Sequence, residues 1–520
     1  MRILKKYIIG SAILSMVLIS CTDDQILDLE PQASLSDEVV FSSPANIAAA
    51  MNGMYQGAQI GFYNGAGARG YVWGAAVIQQ NDMRGEDVVN TAAFYQITYE
   101  NNQTAQGAAN TTYYWFDGYR LINRCNLIIE GVTKAVANGI ISEATGNDYI
   151  GQAKFMRAIT HFELLMFFAR PYGVDNGASL GIPYSTIPVN TLENIELATA
   201  NTRESVASNY TNILADLQFA EDNITTNELV RASKSAAIGF KAKVKLHMRD
   251  FAGVLTEVDK ITGYSLMAEP SGVFTNYQSN SESIFSILQS DINNPGVNGA
   301  IASQYKGRGL GAISPILWND PQWLADDKRR KKSDVLEDNG DVMVYERGEI
   351  YTTNKYRKTV DMDDYTPILR YADILLIKAE AEARVNGLNS NALDALNAVR
   401  NRALADPANQ SYTLSDFSNV AEFVAAVIKE RRIEFLMEGK RWADIHRLQQ
   451  DPLGPLVSLD GIPAKYINGD PGIDSYTIGT MPPANKITVG AIPYSDYRFI
   501  WPIPVEETVY NPNIAQNPGY

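Results

Sequence analysis

Apolar residues recur at every third or fourth position along much of the chain. Between 114 and 128, Trp115, Tyr119 and Ile122 step along one face of a helix. The segment 151–168 repeats this spacing and stops where a proline and a glycine follow, as expected at a helix end. The pattern therefore predicts long amphipathic helices. The same spacing predicts further helices over 203–221, 233–249, 371–384, 391–403 and 421–438.

The helical pattern fades between residues 265 and 370. Glycine, asparagine, serine and proline become frequent, and short apolar runs such as 284–287 are typical of strands or loop anchors. The last 70 residues are also loop-like. Long loops in a folded protein usually serve a function, so this part is where we expect binding residues. Helix pairs joined by short turns favour a tetratricopeptide-type stack, although no clean 34-residue period is present.

The N-terminus has the pattern of an export signal. Basic residues at 2, 5 and 6 precede 13 uncharged residues from Tyr7 to Ile19, which is too short for a membrane span. The tetrapeptide Leu18-Ile19-Ser20-Cys21 then resembles a bacterial lipoprotein signal, in which the cysteine is acylated. We therefore predict a signal peptide over 1–20 and a lipid anchor at Cys21.

The bulk charge excludes some partners. The chain carries 59 acidic against 44 basic residues, a net charge of −15, which repels phosphate backbones and disfavours nucleic acid. Three histidines with no HExxH or CxxC spacing argue against a zinc site. Cys125 lies in an apolar helical segment, so we interpret it as a small buried residue and expect no intrachain disulfide.

Several segments together resemble one protein family. They include GQAKFMRA at 151–158, RYADILLIKAEA at 370–381, LNAVRNRA at 396–403, ERRIEFLMEGKRWAD at 430–444, WPIP at 501–504 and the closing QNPGY. In this order, and together with the lipoprotein signal, they resemble the SusD/RagB family of outer-membrane nutrient-binding lipoproteins. The resemblance extends over essentially the whole chain.

This resemblance implies a mainly α fold, with four degenerate tetratricopeptide-like helix pairs as a scaffold and a loop-rich variable half containing short strands. The implied protein is not an enzyme. It would bind oligosaccharide or polysaccharide at the outer face of the outer membrane and deliver it to a SusC-like TonB-dependent transporter. Capture of oligopeptides by the same assembly is an alternative, and a lipid-tethered hydrolase is a more remote one. The expected organisation is a signal peptide (1–20), a lipidated tether (21–43), an N-terminal helical part (44–265), a variable part (266–370), a C-terminal helical part (371–450) and a loop-rich end (451–520).

Sugar binding without chemistry needs aromatic faces for pyranose rings and polar side chains for hydroxyl groups. Loop aromatics are the informative ones, and two loop regions carry them. In residues 61–99, the candidates are Arg69, Tyr71, Trp73, Asn81, Asp82, Phe94 and Tyr95. In residues 305–323, which also contain Arg308 and Trp323, the candidates are Tyr305, Trp318 and Asn319. We expect the aromatic rings of these loops to be exposed. Trp115, Trp442 and Trp501 lie in segments that the resemblance assigns to the scaffold, so we assign them to packing.

The charge clusters have simpler interpretations. We expect the dense charges of 430–438 to form structural ion pairs, and the basic run 328–332 to be solvated. Asp326-Asp327 and Asp363-Asp364 are sequence neighbours, which does not provide the spacing across a cleft that a glycosidase needs. Residues 337–341 offer oxygen ligands without EF-hand spacing, so calcium is an alternative to having no cofactor.

Overall fold

Helices form most of the secondary structure, and the strands are few and short. The structure is a computed structural model, and it describes residues 37–62, 69–106, 109–337 and 340–520. The helices of the first half are α1 (Asp37–Val40), α2 (Pro44–Ile60), α3 (Ala75–Arg84), α4 (Gln96–Tyr99), α5 (Ala109–Ala137), α6 (Glu143–Phe168), α7 (Tyr172–Asp175), α8 (Leu192–Thr199), α9 (Val206–Asn223), α10 (Lys234–His247) and α11 (Phe251–Val258). Those of the second half are α12 (Gly272–Thr275), α13 (Pro315–Trp318), α14 (Tyr371–Asn386), α15 (Ser390–Asn401), α16 (Pro407–Gln410), α17 (Val420–Glu434), α18 (Arg441–Arg447) and α19 (Val505–Tyr510).

The long helices pack side by side in chain order. α5 contacts α6, α6 contacts α9, and the series continues through α10, α11 and α14 to α15 and α17. Phe155 of α6 meets Phe240 of α10 edge to face at 5.5 Å, which joins two neighbours of this stack through their apolar faces. The mainly α, tetratricopeptide-like arrangement expected from the sequence is confirmed.

One helix is shorter than its pattern predicts. The apolar spacing suggested a helix to 438, but α17 ends at Glu434. Met437 and Gly439 both adopt positive φ, and a Cβ on Gly439 would lie 2.8 Å from the Cα of Ile78. The chain therefore leaves the helix to pack against α3, a tertiary constraint that local periodicity does not contain.

Short strands join distant parts of the chain. The strands are β1 (Val88–Asn90), β2 (Ser283–Ile287), β3 (Gly311–Ile313), β4 (Lys332–Ser333), β5 (Val344–Arg347), β6 (Ile350–Thr353) and β7 (Thr366–Arg370). β1 pairs antiparallel with β3, so that Val88 lies opposite Ile313. β2, which confirms the predicted apolar run, pairs antiparallel with β7. β5 lies between β4 and β6 and forms a hairpin with β6.

Buried ion pairs connect the loop-rich part to the C-terminal helices. We call Glu282, Lys355, Arg370, Glu434 and Glu438 the ionic network. Arg370 lies 2.9 Å from Glu438 and 3.1 Å from Glu434, and it also contacts Glu282. The Lys355 ammonium donates to Glu438 at 2.7 Å. All five residues are buried, so the predicted structural pairing of the 430–438 charges is confirmed.

The basic run 328–332 only partly behaves as expected. The Lys328 side chain reaches solvent and pairs with the exposed Glu269. Arg329, however, is buried and contacts Asp327 at 2.7 Å and Glu434 at 3.1 Å. The expectation of a fully solvated run is therefore wrong, because carboxylates from α17 hold part of it inside the protein.

Candidate functional site

Most of the aromatic rings predicted to be exposed are buried. Tyr71 is 0% exposed and Trp73 is 4% exposed, and the Trp73 indole N–H donates to the Thr160 hydroxyl at 3.1 Å. Tyr95 is 2% exposed. The expectation that these rings face solvent is wrong. Trp73 lies two residues before α3, and its indole contacts Thr160 of α6. Since both Tyr71 and Trp73 are buried, neither ring offers an exposed face to a ligand in this structure.

The second loop region is buried in the same way. Trp318 is 2% exposed, and its ring packs on Trp323 with 5.3 Å between ring centroids. Its indole N–H donates to the carbonyl of Tyr476 at 3.2 Å, and the Asn319 amide donates to the carbonyl of Ser475 at 2.7 Å. Trp318 therefore anchors the C-terminal loops, and the expectation of an exposed ring is wrong here as well.

The polar candidates of α3 also face inward. The Asn81 amide donates to Glu163 at 2.7 Å. Asp82 accepts from the Tyr305 hydroxyl and, at 3.0 Å, from the backbone N–H of Gly439. Burial raises the pKa of Asp82 to about 8. These side chains tie α3 to its neighbours and have no open face.

Two of the predicted residues do reach the surface. Arg69 and Phe94 are partly exposed, and the Arg69 guanidinium lies over the Phe94 ring at 4.7 Å from its centroid. Three residues from later in the chain lie near them and reach solvent, namely Arg308, Tyr345 and Arg347. We call these five residues the arginine surface. It combines planar cations with aromatic faces, the side-chain types that recognise sugars and anionic groups.

The β1–β3 pairing brings the arginine surface together. Just beyond β1, the Thr91 hydroxyl donates to the Gly309 carbonyl, which fixes the segment before Phe94 against the loop that carries Arg308. A Cβ on Gly309 would lie 3.0 Å from the Cδ of Arg347, so glycine lets the β5 strand approach this loop closely.

Further contacts place Arg69 and Arg308 near each other. A Cβ on Gly299 would lie 2.9 Å from the Cα of Arg69, and the neighbouring Asn298 accepts from the Arg308 guanidinium at 3.0 Å. Burial raises the pKa of Tyr95, while the positive charges of both arginines act to lower it. Both guanidinium groups therefore act electrostatically on the Tyr95 phenol.

The sequence analysis did not identify Tyr345 and Arg347. They alternate along β5, so they lie on one face of the strand, while Glu346 between them pairs with Lys332 at 2.7 Å. The Lys306 ammonium lies 5.5 Å from the centroid of the Tyr345 ring, which places that ring beside the Arg308 loop. The glycine at 348 and the alternation before it signal a hairpin, but no local pattern indicates which loop the hairpin meets.

The groups that would suggest catalysis have structural roles. The His161 ring stacks on Tyr184 at 4.0 Å, and burial lowers the pKa of His161 to about 3. Cys125 is buried, and burial raises the pKa of its thiol to about 12, as expected for an inert packing residue. Asp364 accepts from two backbone N–H groups. Its sequence neighbour Asp363 accepts a hydrogen bond from the Tyr277 hydroxyl. In the other acidic pair, Asp326-Asp327, Asp327 forms an ion pair with Arg329.

The tryptophans assigned to packing are confirmed in that role. Trp115, Trp442 and Trp501 are all 0% exposed. The Trp442 indole N–H donates to the carbonyl of Met166 at 3.0 Å, and the Phe167 ring lies 4.3 Å from that of Trp501. These rings form the contact between α6 and the C-terminal segments.

The described part of the chain has neither a metal cluster nor a membrane-spanning helix. Within residues 37–62, 69–106, 109–337 and 340–520, no three histidine, cysteine, aspartate or glutamate side chains converge on a possible ion site. The calcium alternative stays a prediction, because two of the five residues of 337–341 lie outside the described residues, as do Cys21 and the signal peptide. Among the helices of the described ranges, none is long and apolar enough to span a bilayer.

A helical-repeat scaffold with an exposed aromatic and basic surface defines a class of binding proteins. Two family models match separate parts of the chain. The model described as the SusD family matches residues 331–520, and one described as starch-binding associating with outer membrane matches residues 25–246. Because the two matches lie on both halves of the chain, the protein belongs to the SusD family. Membership identifies it as a binding protein and not an enzyme.

Individual relatives are distant but cover nearly the whole chain. A SusD-like protein of Formosa agariphila is 26% identical over 99% of this chain and 100% of its own length. A SusD-like protein of Bacteroides ovatus is 26% identical over 86% of this chain and 83% of its own. The similarity therefore extends from end to end and is not confined to one part.

Solved structures share the fold. A SusD superfamily protein from Bacteroides fragilis superposes with a TM-score of 0.72 at 24% identity, covering 91% of this chain and 99% of that one. Surface glycan-binding protein A from Bacteroides fluxus superposes with a TM-score of 0.62 at 20% identity, covering 92% of this chain and all of that one. At these identities, the likeness establishes the architecture alone.

Proposed function

We propose that this protein captures oligosaccharides or polysaccharides at the outer surface of the outer membrane and delivers them to a SusC-like TonB-dependent transporter. The arginine surface carries the proposal. Phe94 and Tyr345 present partly exposed rings, and the guanidinium groups beside them supply hydrogen-bond donors. Rings that accept the apolar face of a pyranose and donors for its hydroxyl groups are the two requirements for binding sugar without chemistry.

Family context supports a carbohydrate ligand. One matching family model is described as starch-binding, and one structural relative carries the name of a surface glycan-binding protein. The stack of helices holds the loops on a rigid frame, which keeps the binding surface preformed and limits the entropy lost on binding.

Affinity electrophoresis tests the ligand class. The purified protein is run through gels that contain one polysaccharide each, beside the variant Phe94→Ala. Retardation by at least one glycan, reduced in Phe94→Ala, is the expected result. A protein that no glycan retards, but that binds a peptide mixture in calorimetry, contradicts the proposal and favours the oligopeptide alternative. Release of reducing ends would favour a hydrolase.

The anchor and the partner need cellular experiments. We expect Cys21→Ala to abolish incorporation of labelled fatty acid and to release the protein from the membrane fraction. Proteinase K added to intact cells should degrade the wild-type protein if it faces outward. A tagged protein should also copurify with a large β-barrel transporter from detergent-solubilised outer membranes. Protection from the protease, or recovery without a transporter, would contradict these parts of the proposal.

A further inference from the structure

The arginines of the binding surface differ from those elsewhere in the protein. In the ionic network and in α17, arginines contact carboxylates at close range. Arg308 instead contacts the neutral amide of Asn298, and the Arg347 side chain lies over the backbone of Gly309. Neither Arg308 nor Arg347 forms an ion pair with any carboxylate of the described ranges, and both are exposed. Their positive charges are therefore directed to solvent.

Three acidic groups on the adjoining segments have partners other than these arginines. Asp82 is buried beneath it, where the Tyr305 hydroxyl and the Gly439 N–H bind its carboxylate. Glu349 lies at the turn after Arg347, but its carboxylate accepts from the backbone N–H of Ile473 at 3.3 Å and so is turned toward the C-terminal loop. Glu346 pairs with Lys332 on the opposite face of β5.

Gathering like charges has an energetic cost that a neutral ligand would not offset. Like charges held close together repel each other in bulk water, and they repel more strongly near a protein surface. The chain as a whole has a net charge of −15, so a locally basic surface runs against its average composition. An anionic ligand converts this repulsion into attraction, and planar guanidinium groups bind carboxylates and sulfates through paired hydrogen bonds.

The aromatic rings limit the form of that anion. Arg69 lies over the Phe94 ring, and the Lys306 ammonium lies 5.5 Å from the centroid of the Tyr345 ring, so each ring has a cation beside it. Arg347 follows Tyr345 on the same face of β5. A free inorganic anion would use the cations alone. A sugar ring that carries an acidic group would use both, with its apolar face on the aromatic ring and its acidic group on the guanidinium.

Resting on the carbohydrate-binding function proposed above, we propose that the arginine surface selects anionic glycans, whose carboxylate or sulfate groups pair with Arg308 and Arg347 while sugar rings lie on Phe94 and Tyr345. The shared chemistry is an acidic group on a pyranose. Uronic acids and sulfate esters are its two sources, and the experiment separates them.

Matched glycan pairs provide the test. Oligomers of polygalacturonate are compared with their methyl esters, and carrageenan oligomers with their desulfated forms, by isothermal titration calorimetry at low and high salt. We expect at least one acidic member to bind about tenfold or more tightly than its neutral partner, and its affinity to fall as salt rises. The pair that shows the difference identifies carboxylate or sulfate as the recognised group.

Variants connect the effect to these residues. Arg308→Gln combined with Arg347→Gln should weaken binding of the acidic oligomer about tenfold or more, and by a larger factor than it weakens binding of the neutral partner, because glutamine keeps an amide donor for hydroxyl groups but removes the positive charge. Arg498→Gln is the matched control, since Arg498 also lies beside a tyrosine ring but pairs with Asp496. Both exchanged arginines are exposed, so unchanged thermal unfolding should accompany the loss of affinity.

The failures are distinguishable. Equal binding of acidic and neutral members, or full affinity in the double variant, overturns the anionic-glycan proposal and leaves carbohydrate binding in place. Absence of binding to every glycan, acidic or neutral, overturns both proposals.

Discussion

The ionic network and the arginine surface use the same side chain in opposite ways. In the network, Arg370 is buried and three carboxylates surround it, so the folded protein itself satisfies its charge. At the surface, Arg308 and Arg347 have backbone and amide neighbours and leave their charge open. A paired arginine joins two parts of the fold, whereas an arginine without an internal counterion is available to a ligand. Burial and partners, more than residue type, separate the ionic network from the arginine surface.

The largest effect should come from breaking the network. Arg370→Leu removes one counterion of three buried carboxylates, Glu282, Glu434 and Glu438, which keep Arg402, Arg329 and Lys355 as partners. This should lower the free energy of unfolding by about 3–5 kcal/mol. Urea denaturation followed by circular dichroism measures this change. Lys328→Gln removes an exposed pair with Glu269 and should change stability by less than about 1 kcal/mol. Equal effects of the two substitutions would contradict the view that buried ion pairs hold the fold together while exposed ones contribute little.

The buried tryptophan of the second loop region should behave as part of the frame. Trp318→Ala removes a ring packed on Trp323 and Tyr351, and we expect it to lower the free energy of unfolding by about 3–4 kcal/mol. Calorimetric unfolding measures this. A variant of wild-type stability that has lost glycan binding would show instead that Trp318 contacts ligand, as its sequence position suggested.

Acid should weaken the frame and leave the arginine charges unchanged. Arg447 and Arg384 lie 2.7 and 3.0 Å from Glu380 and, against the effect of burial, lower the pKa of Glu380 to about 2. A depressed pKa stabilises the fold above the ordinary value near 4.5, and this contribution, roughly 3 kcal/mol, is lost as the pH falls toward 2. Between pH 5 and pH 2, the wild type should therefore lose more stability than Glu380→Gln. Parallel pH profiles of the two proteins would contradict this.

The smallest expected effect is on binding. Phe94→Ala should weaken glycan binding by about 1–2 kcal/mol, roughly tenfold, with no change in stability, because the ring is partly exposed. Titration calorimetry with the oligosaccharide found by electrophoresis measures it. Tyr497→Ala removes a ring that is 42% exposed but lies outside the arginine surface, and it should leave affinity unchanged.

The helical frame was predictable because its signal is local. Apolar spacing located α5, α6, α9 and α10, since a helix that buries one face repeats its apolar residues every three or four positions. The end of α17 was missed, because the approach of Gly439 to α3 is decided by residues hundreds of positions away. Local periodicity therefore predicts where helices lie, whereas tertiary packing decides the residue at which each helix ends.

The arginine surface was predictable only in outline. The two loop regions do supply Arg69, Phe94 and Arg308, but sequence reasoning favoured tryptophans, which this fold uses for packing. Exposure is a tertiary property, so an aromatic in a glycine-rich stretch carries no local sign of it. Tyr345 and Arg347 join the surface through a hairpin whose neighbours a single sequence does not reveal.

The three-residue pairing of β1 with β3 has a consequence for how specificity can change. The pairing of Val88 with Ile313 fixes the register between two segments that lie more than 200 positions apart in the chain. Residues outside the two strands, such as Phe94 and Arg308, can be substituted without altering this register. A slip of one residue within it would turn every side chain of β3 to the other face and dismantle the surface. Point substitutions outside the strands can therefore change ligand preference while the β1–β3 register stays the same. Insertions are tolerated only in the loops outside these two strands.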